Sequence, residues 1–236
     1  MNDGRSVAPR NAQLTTIELG DAPEAWATAG FTVGDDGVHL GHTTIRLTGR
    51  GGSFLGFSFD GMAPSGDGPS DLDGLPLLDP DAVADGAAAA VTRPNGPHPN
   101  GPHPNGVSSI DHVVVRTGNC ERTIAAFERA GFEVRGGRST TSYGSPMRQT
   151  FFWGGDVILE LVGPDAGEPT TDEPTSIFGL ALVAADIDRT AETLGDLLGQ
   201  PKPAVQAGRR IAGLRHRQAG ISLPIAVMSP HVRADR

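Results

Sequence analysis

The chain has 236 residues, 37% of them hydrophobic and 5% aromatic, which is long enough to bury the core of one large domain or two small ones. Its formal net charge of −9 argues against a general binder of nucleic acid or anionic membranes, and it has no apolar run long enough for a transmembrane helix. A single cysteine, Cys120, excludes an internal disulfide and a thiolate zinc cluster, and the first ten residues lack the apolar core of a secretory signal. We therefore expect a soluble, cytoplasmic protein.

The N-terminal segment, residues 12–62, predicts a strand, a short helix and three further β-rich segments. The strand AQLTTIELG precedes DAPEAWATAG, in which Asp21 is a candidate N-cap and Gly30 a candidate stop. The segments FTVGDDGVHLG, HTTIRLTG and GSFLGFSFDG follow, separated by glycine turns. This order predicts a divergent βαβββ-like module.

Residues 63–107 read as a linker rich in Pro, Gly and Ala. Within them, PNGPHPNGPHPNG repeats with a period of five residues. Proline fixes φ and Asn-Gly favours turns, so the repeat cannot form a helix or an interior strand. His98 and His103 of this tract are poor metal ligands, because a flexible tract has no neighbours to orient their rings.

A longer repeat follows the linker. Shifting the sequence by 67 residues aligns SIDHVVVRTGNCERTIAAFERAG with SIFGLALVAADIDRTAETLGDLL. Each segment is predicted to be a strand followed by an amphipathic helix, and Asn119 and Asp186 are the candidate N-caps of the two helices. Three predicted strands follow each helix: FEVRGGR, MRQTFFWG and DVILELVGP in the first copy, and PAVQAGRR, RIAGLRHR and ISLPIAVMSP in the second. Residues 108–164 and 175–230 are thus each predicted to be a β-α-β-β-β module of one domain, 108–230.

Two polar residues interrupt the apolar strands of the first module. His112 lies in IDHVVV and Glu160 in VILELV, where a carboxylate is costly to bury unless a cation or a donor meets it. If Gly154 and Gly155 form a two-residue turn, Gln149 faces Glu160 across the hairpin, and directly opposed residues share a face. The side chains expected to pack beneath the helix are Thr150, Phe152, Val157, Leu159 and Leu161.

The remaining side chains of this hairpin suggest how a ligand could be held. Gln149, Phe151 and Trp153 are predicted to line the pocket beside Glu160. Arg148 and Arg210 are further candidates, because a guanidinium can hold a carboxylate or phosphate through two hydrogen bonds. The alternative for these arginines is a solvated edge that limits aggregation.

A repeated βαβββ module with His in its first strand and Glu in its last resembles the vicinal oxygen chelate superfamily, which includes glyoxalase I, extradiol dioxygenases and bleomycin- and fosfomycin-resistance proteins. The resemblance is fullest for 108–164, less full for 175–230 and weakest for 12–62. It implies an α+β fold in which two modules pair into a partly open eight-stranded barrel. It also implies a divalent metal (Fe, Mn, Ni or Zn) held by His112 and Glu160, with Glu160 a candidate general base.

The second module departs from the family pattern. His112 aligns with Gly179 and Glu160 with Ala226, so one chain offers only two of the four expected ligands. Three alternatives follow: two chains pool their ligands in a homodimer, an irregular ligand such as His216 contributes, or the pocket binds without metal. The function is accordingly either a metal-dependent lyase, isomerase or dioxygenase acting on a small oxygenated metabolite, or a non-catalytic binding protein of the drug-resistance type.

Overall fold

The computed structural model describes residues 12–62, 70–79, 103–141 and 145–231 and has an α+β fold built around two main sheets. The N-terminal part forms the smaller of them. Its elements are β1 (Gln13–Leu19), α1 (Pro23–Thr28), β2 (Val38–Leu40), β3 (Thr43–Leu47) and β4 (Phe54–Asp60). The strand order is β2-β3-β1-β4, with β3 parallel and β4 antiparallel to β1.

The last strand of the N-terminal sheet, β4, lies at its edge beside β1. The elements follow the predicted β-α-β-β-β order, and β4 pairs with the edge of β1 that β3 leaves free. A loop containing Gly49, Gly51 and Gly52, all at positive φ, carries the chain over the end of β1. Gly20 permits this crossing, because a Cβ there would lie 1.9 Å from the carbonyl oxygen of Gly51.

The start of helix α1 also differs from the sequence-based expectation. Ala22, not Asp21, is the N-cap, and it makes no side-chain capping bond. Asp21 is instead buried, where its carboxylate accepts hydrogen bonds from Trp26 Nε1 (3.0 Å) and from the backbone N–H of Ser222 (3.1 Å). It therefore joins the N-terminal sheet to the C-terminal domain.

Part of the predicted linker is packed against the rest of the protein. Residues 70–79 contain the hairpin β5 (Asp71–Leu72) and β6 (Leu75–Pro76), whose two leucines are buried. At the turn, Asp73 accepts hydrogen bonds from Arg122 Nε (2.8 Å) and from the Thr123 and Thr175 hydroxyls. His103 is also anchored, between the backbone of Thr32 and that of His39. His98 lies outside the described residues.

The larger sheet has eight strands, all in the C-terminal domain. Its elements are β7 (Val107–Arg116), α2 (Cys120–Arg129), β8 (Gly136–Thr140), β9 (Met147–Gly154), β10 (Val157–Pro164), β11 (Ser176–Ala184), α3 (Ile187–Leu194), β12 (Lys202–Pro203), β13 (Arg210–Gly213), α4 (His216–Ala219) and β14 (Ile225–Met228). The strand order is β12-β13-β14-β11-β7-β10-β9-β8, which leaves β8 and β12 as the two edges. The predicted fold class is confirmed, with an open sheet.

The two halves of this sheet meet where β7 pairs antiparallel with β11. Val113 lies opposite Leu180, its own equivalent under the 67-residue shift, so an approximate two-fold axis passes through this pair. The flanking pairs obey the same relation, since His112 lies opposite Ala181 and Gly179 opposite Val114. The structural equivalent of His112 in the second half is therefore Gly179.

The second half is less regular than the sequence predicts. The segment PAVQAGRR contributes only one residue to the two-residue strand β12, and RIAGLRHR is a strand only up to Gly213. Beyond Gly213 the chain turns into the short helix α4, which ends at Gly220 with φ 86°.

The core lies between the helix-bearing face of the large sheet and the N-terminal sheet. The ring centroid of Phe127 in α2 lies 4.8 Å from that of Phe152 in β9. The five residues predicted to pack beneath the helix are all buried. Asn119 and Asp186 cap α2 and α3 as predicted. The ring centroids of Phe59 in β4 and Phe132 lie 5.1 Å apart, so both sheets share one core. No helix in the described parts of the chain is long and apolar enough to span a membrane.

Replacing Gly179 by Ala is expected to lower the free energy of unfolding by about 1–3 kcal/mol, because the added Cβ would lie 2.6 Å from the carbonyl oxygen of Pro224. Urea denaturation measures this change. The matched control is Gly213→Ala, also in a strand of the second half, where a Cβ meets nothing within 4 Å and the change should stay within about 0.5 kcal/mol. Equal losses in the two variants would contradict the close approach at Gly179.

Candidate functional site

The turn of the β9–β10 hairpin lies one residue later in the sequence than predicted, which shifts the cross-strand pairing by two residues. Gly154 pairs with Val157, leaving Gly155 and Asp156 in the turn, where Gly155 supplies a positive φ of 68°. Glu160 therefore lies opposite Phe151, and the predicted pairing of Gln149 with Glu160 is wrong. A two-residue shift leaves every side chain on its expected face, because the side-chain period of a strand is two.

His112 and Glu160 come together on the sheet face that turns away from α2, which we call the site face. Their strands β7 and β10 are parallel neighbours, with Glu160 beside Val114. His112 Nε2 lies 3.7 Å from Glu160 Oε2. The two side chains are 15% and 11% exposed, so both keep a small contact with solvent.

Gln149 joins Glu160 by a diagonal contact across the hairpin. Its Nε2 donates to Glu160 Oε1 at 2.5 Å, and its Oε1 accepts from Arg138 Nε at 2.5 Å. The Arg138 guanidinium also lies 5.9 Å from the centre of the Phe151 ring. Gln149 is buried, so this amide fixes the carboxylate from the side opposite His112.

Asp111 holds His112 from the other end. On β7, residues 110 and 112 lie opposite adjacent residues of β11, so Asp111 is the extra residue of a β-bulge. Its Oδ2 lies 2.7 Å from His112 Nδ1, and its Oδ1 accepts from Arg209 Nη2 at 2.7 Å. Burial opposes ionisation of Asp111, but the hydrogen bonds from His112 and Arg209 outweigh it and hold the pKa of this carboxyl well below its usual range.

Arg209 is the site residue that the sequence interpretation missed. It directly precedes Arg210, the residue of RRIAGLRHR that is predicted above to hold a ligand. The side chain of Arg209 is 1% exposed. The side chain of Arg210 is instead 42% exposed, and its Nη1 lies 2.5 Å from Asp188 Oδ2 of α3. The available signal was Asp111 itself, because a carboxylate entering a buried strand requires a cation or a donor.

Of three other predicted site residues, Arg148 and His216 lie apart from this cluster, whereas Trp153 lies on its face. Arg148 reaches Glu121 of α2 at 2.9 Å, on the helix-bearing side of the sheet. Trp153 lies on the site face opposite Ile158 and is 52% exposed. His216 begins α4, which packs against α1 of the N-terminal sheet.

The residues present do not complete a divalent-metal site. The counterpart of Glu160 is Ala226, which pairs with β11 as Glu160 pairs with β7. At the counterpart of His112, Gly179, the Pro224 carbonyl occupies the space that a side chain would need. Among the described residues, no group of three or more His, Cys, Asp or Glu side chains could hold a metal ion. The first strands of the two halves, β7 and β11, pair with each other within one chain.

Comparison with known proteins relates this geometry to a family. Residues 110–226 match a family model described as a glyoxalase-like domain. No curated protein matches the chain. A mutant of 4-hydroxymandelate synthase from Streptomyces coelicolor is 16% identical over 95% of this chain and 94% of its own, with a TM-score of 0.56.

Two further solved structures align over nearly the whole chain. A catechol 2,3-dioxygenase is 13% identical over 97% of this chain and 96% of its own, with a TM-score of 0.54. A fusion of a xylose isomerase-like TIM barrel with a 4-hydroxyphenylpyruvate dioxygenase is 11% identical over 97% of this chain and 50% of its own, with a TM-score of 0.59. At these identities the likeness is one of fold, and it includes the N-terminal sheet.

Replacing Asp111 by Asn is expected to lower the free energy of unfolding by about 3–5 kcal/mol, because the buried Arg209 would lose its charged partner. The folded-state pKa of Asp111 is lowered, so its stabilisation is fully present above the ordinary carboxyl pKa of about 4 and is lost as the pH falls through the lower folded value. Urea denaturation at about pH 7 and pH 3 should therefore show a smaller acid-induced loss in the variant than in the wild type.

The control for this prediction is Asp188→Asn, which removes the exposed partner of Arg210. An exposed ion pair contributes about 0–1 kcal/mol, so this variant should remain close to the wild type. Equal destabilisation of the two variants would contradict the buried Asp111–Arg209 pair.

Proposed function

Since this chain belongs to the vicinal oxygen chelate superfamily through its glyoxalase-like domain, we propose that it binds a small oxygenated molecule at His112 and Glu160 without a resident metal ion. The observation that carries the proposal is the second half of the sheet. Its two positions equivalent to the predicted ligands are a glycine closed off by the Pro224 carbonyl and an alanine. The family's scaffold is retained, and half of the ligand set that the resemblance implies is absent.

The side chains around the pair support binding of a ligand with one polar and one apolar part. His112 and Glu160 supply the polar contacts. Phe151 and the half-exposed Trp153 lie on the same face and offer flat apolar surface. Few polar groups beside aromatic side chains are typical of small-molecule sites.

One observation favours a second candidate, a metal-dependent lyase, isomerase or dioxygenase with His112 and Glu160 as its protein ligands. The imidazole nitrogen and the carboxylate oxygen approach to 3.7 Å, and both residue types bind Fe, Mn, Ni and Zn. The two candidates differ in metal content, which can be measured directly.

Elemental analysis of the purified full chain, after incubation with Mn²⁺ or Zn²⁺ and removal of the excess, separates the candidates. The binding proposal expects far less than one ion per chain, and no difference between the wild type and His112→Ala. About one ion per chain in the wild type, lost in His112→Ala, would overturn the proposal in favour of the enzyme.

Ligand binding can be followed by tryptophan fluorescence, because the chain has two tryptophans and Trp26 is fully buried. We expect a small diphenol such as catechol to change the emission of Trp153, and Glu160→Gln to weaken its binding roughly tenfold or more by removing a charged acceptor. The control is Glu121→Gln, an exposed carboxylate on the other side of the sheet, which should leave binding unchanged. Equal affinity of the wild type and Glu160→Gln would place the ligand elsewhere.

A further inference from the structure

We infer that Arg209 is a positioning residue for the site: by anchoring Asp111 it keeps the proton of neutral His112 on Nδ1, so that His112 Nε2 and Glu160 together present two acceptors to two donor hydrogens of the ligand, from a pair of neighbouring hydroxyls or from one amino group. The choice of ligand group rests on the proposed function. The state of the His112 ring is a property of the free protein and is tested separately.

Arg209 is itself held in one position by the second half of the domain. It precedes β13, and its guanidinium donates from Nε to the Ser229 carbonyl at 2.9 Å and from Nη1 to Gln206 Oε1 at 3.0 Å. Its Nη2 donates to Asp111 Oδ1 at 2.7 Å. A planar guanidinium with three separate acceptors has a defined orientation.

The Asp111 carboxylate connects this anchor to His112. One oxygen accepts from Arg209 and the other lies 2.7 Å from His112 Nδ1. An ionised carboxylate can only accept hydrogen bonds, so the neutral imidazole must donate from Nδ1. The β-bulge at Asp111 makes the contact possible, because adjacent residues of a regular strand point to opposite faces.

The consequence for the ligand follows from the other ring nitrogen. With its proton on Nδ1, His112 presents a lone pair at Nε2, 3.7 Å from Glu160 Oε2. Two acceptors at this distance do not bond each other, and a ligand that donates one hydrogen to each, from two neighbouring hydroxyls or one amino group, satisfies both. A carboxylate or phosphate of the ligand would instead meet the negative charge of Glu160.

Nuclear magnetic resonance of the ¹⁵N-labelled full chain tests the ring state, since the two ring nitrogens of neutral histidine differ in shift according to which carries the proton. Spectra are recorded at a pH high enough that the ring shifts no longer change, and His112→Gln assigns the signals. We expect the Nδ1–H form in the wild type and, in Arg209→Gln, a fall of roughly threefold or more in the ratio of Nδ1–H to Nε2–H.

The neighbouring arginine provides the matched control. Arg210→Gln removes the same type of side chain one residue away, but from an exposed pair with Asp188, and should leave the ratio unchanged. A wild-type ring protonated on Nε2 would overturn the inference without any variant. An unchanged ratio in folded Arg209→Gln would overturn the role of Arg209. Should that variant fail to fold, Arg209→Lys, which keeps the charge and loses the planar fork, is expected to lower the ratio, and an unchanged ratio there counts equally against it.

A second experiment uses Trp153 fluorescence to compare the affinities of catechol and 1,2-dimethoxybenzene. The second compound has the same ring and the same two oxygens, but lacks the two O–H groups that donate hydrogen bonds. We expect the dimethyl ether to bind at least tenfold more weakly. Equal affinities would overturn the donor preference. If neither compound, nor any other in a panel of hydroxylated and amino aromatics, bound at all, the proposed function would fail, while the ring-state result would still stand or fall by itself.

Discussion

The antiparallel pairing of β7 with β11 joins the two halves of the large sheet about an axis through Val113 and Leu180. This register determines what each half contributes to the site face. It sets His112 opposite Ala181 and leaves Gly179, its equivalent, beside the Pro224 carbonyl. The polar groups of the site therefore come from one half, and the second half contributes the cation that anchors them. Arg209 of the second half contacts Asp111 of the first half. The ion pair therefore depends on both halves, although His112 and Glu160 occur only in the first.

Strand and helix periodicity was sufficient to predict the regular parts of the domain. The run IDHVVV, the caps at Asn119 and Asp186, and the alternation along MRQTFFWG and VILELVGP all have local causes, and the structure has the corresponding elements. The approach of His112 to Glu160 was also predictable, because a two-residue error in the hairpin register does not move a side chain to the other face.

The parts that sequence reasoning did not predict depend on contacts between distant segments. Nothing local distinguishes Arg209 from Arg210; only the position of Asp111 makes one of them buried and the other exposed. The crossing that carries β4 to the far edge of β1 depends on the close approach of Gly51 to Gly20. The docking of Asp73 likewise requires Thr123 and Thr175, which are 50 or more residues away in the chain.

The shared core has a consequence for where the folding unit begins. Phe59 of the N-terminal sheet packs on Phe132, and the backbone N–H of Ser222 donates to the Asp21 carboxylate at 3.1 Å, so the 110–226 match is contacted by residues that lie outside it. Excised at the limits of that match, the domain would expose apolar rings to water and leave the Ser222 N–H without its Asp21 acceptor. We therefore expect the unit that folds on its own to extend beyond the region of homology and to include the N-terminal sheet.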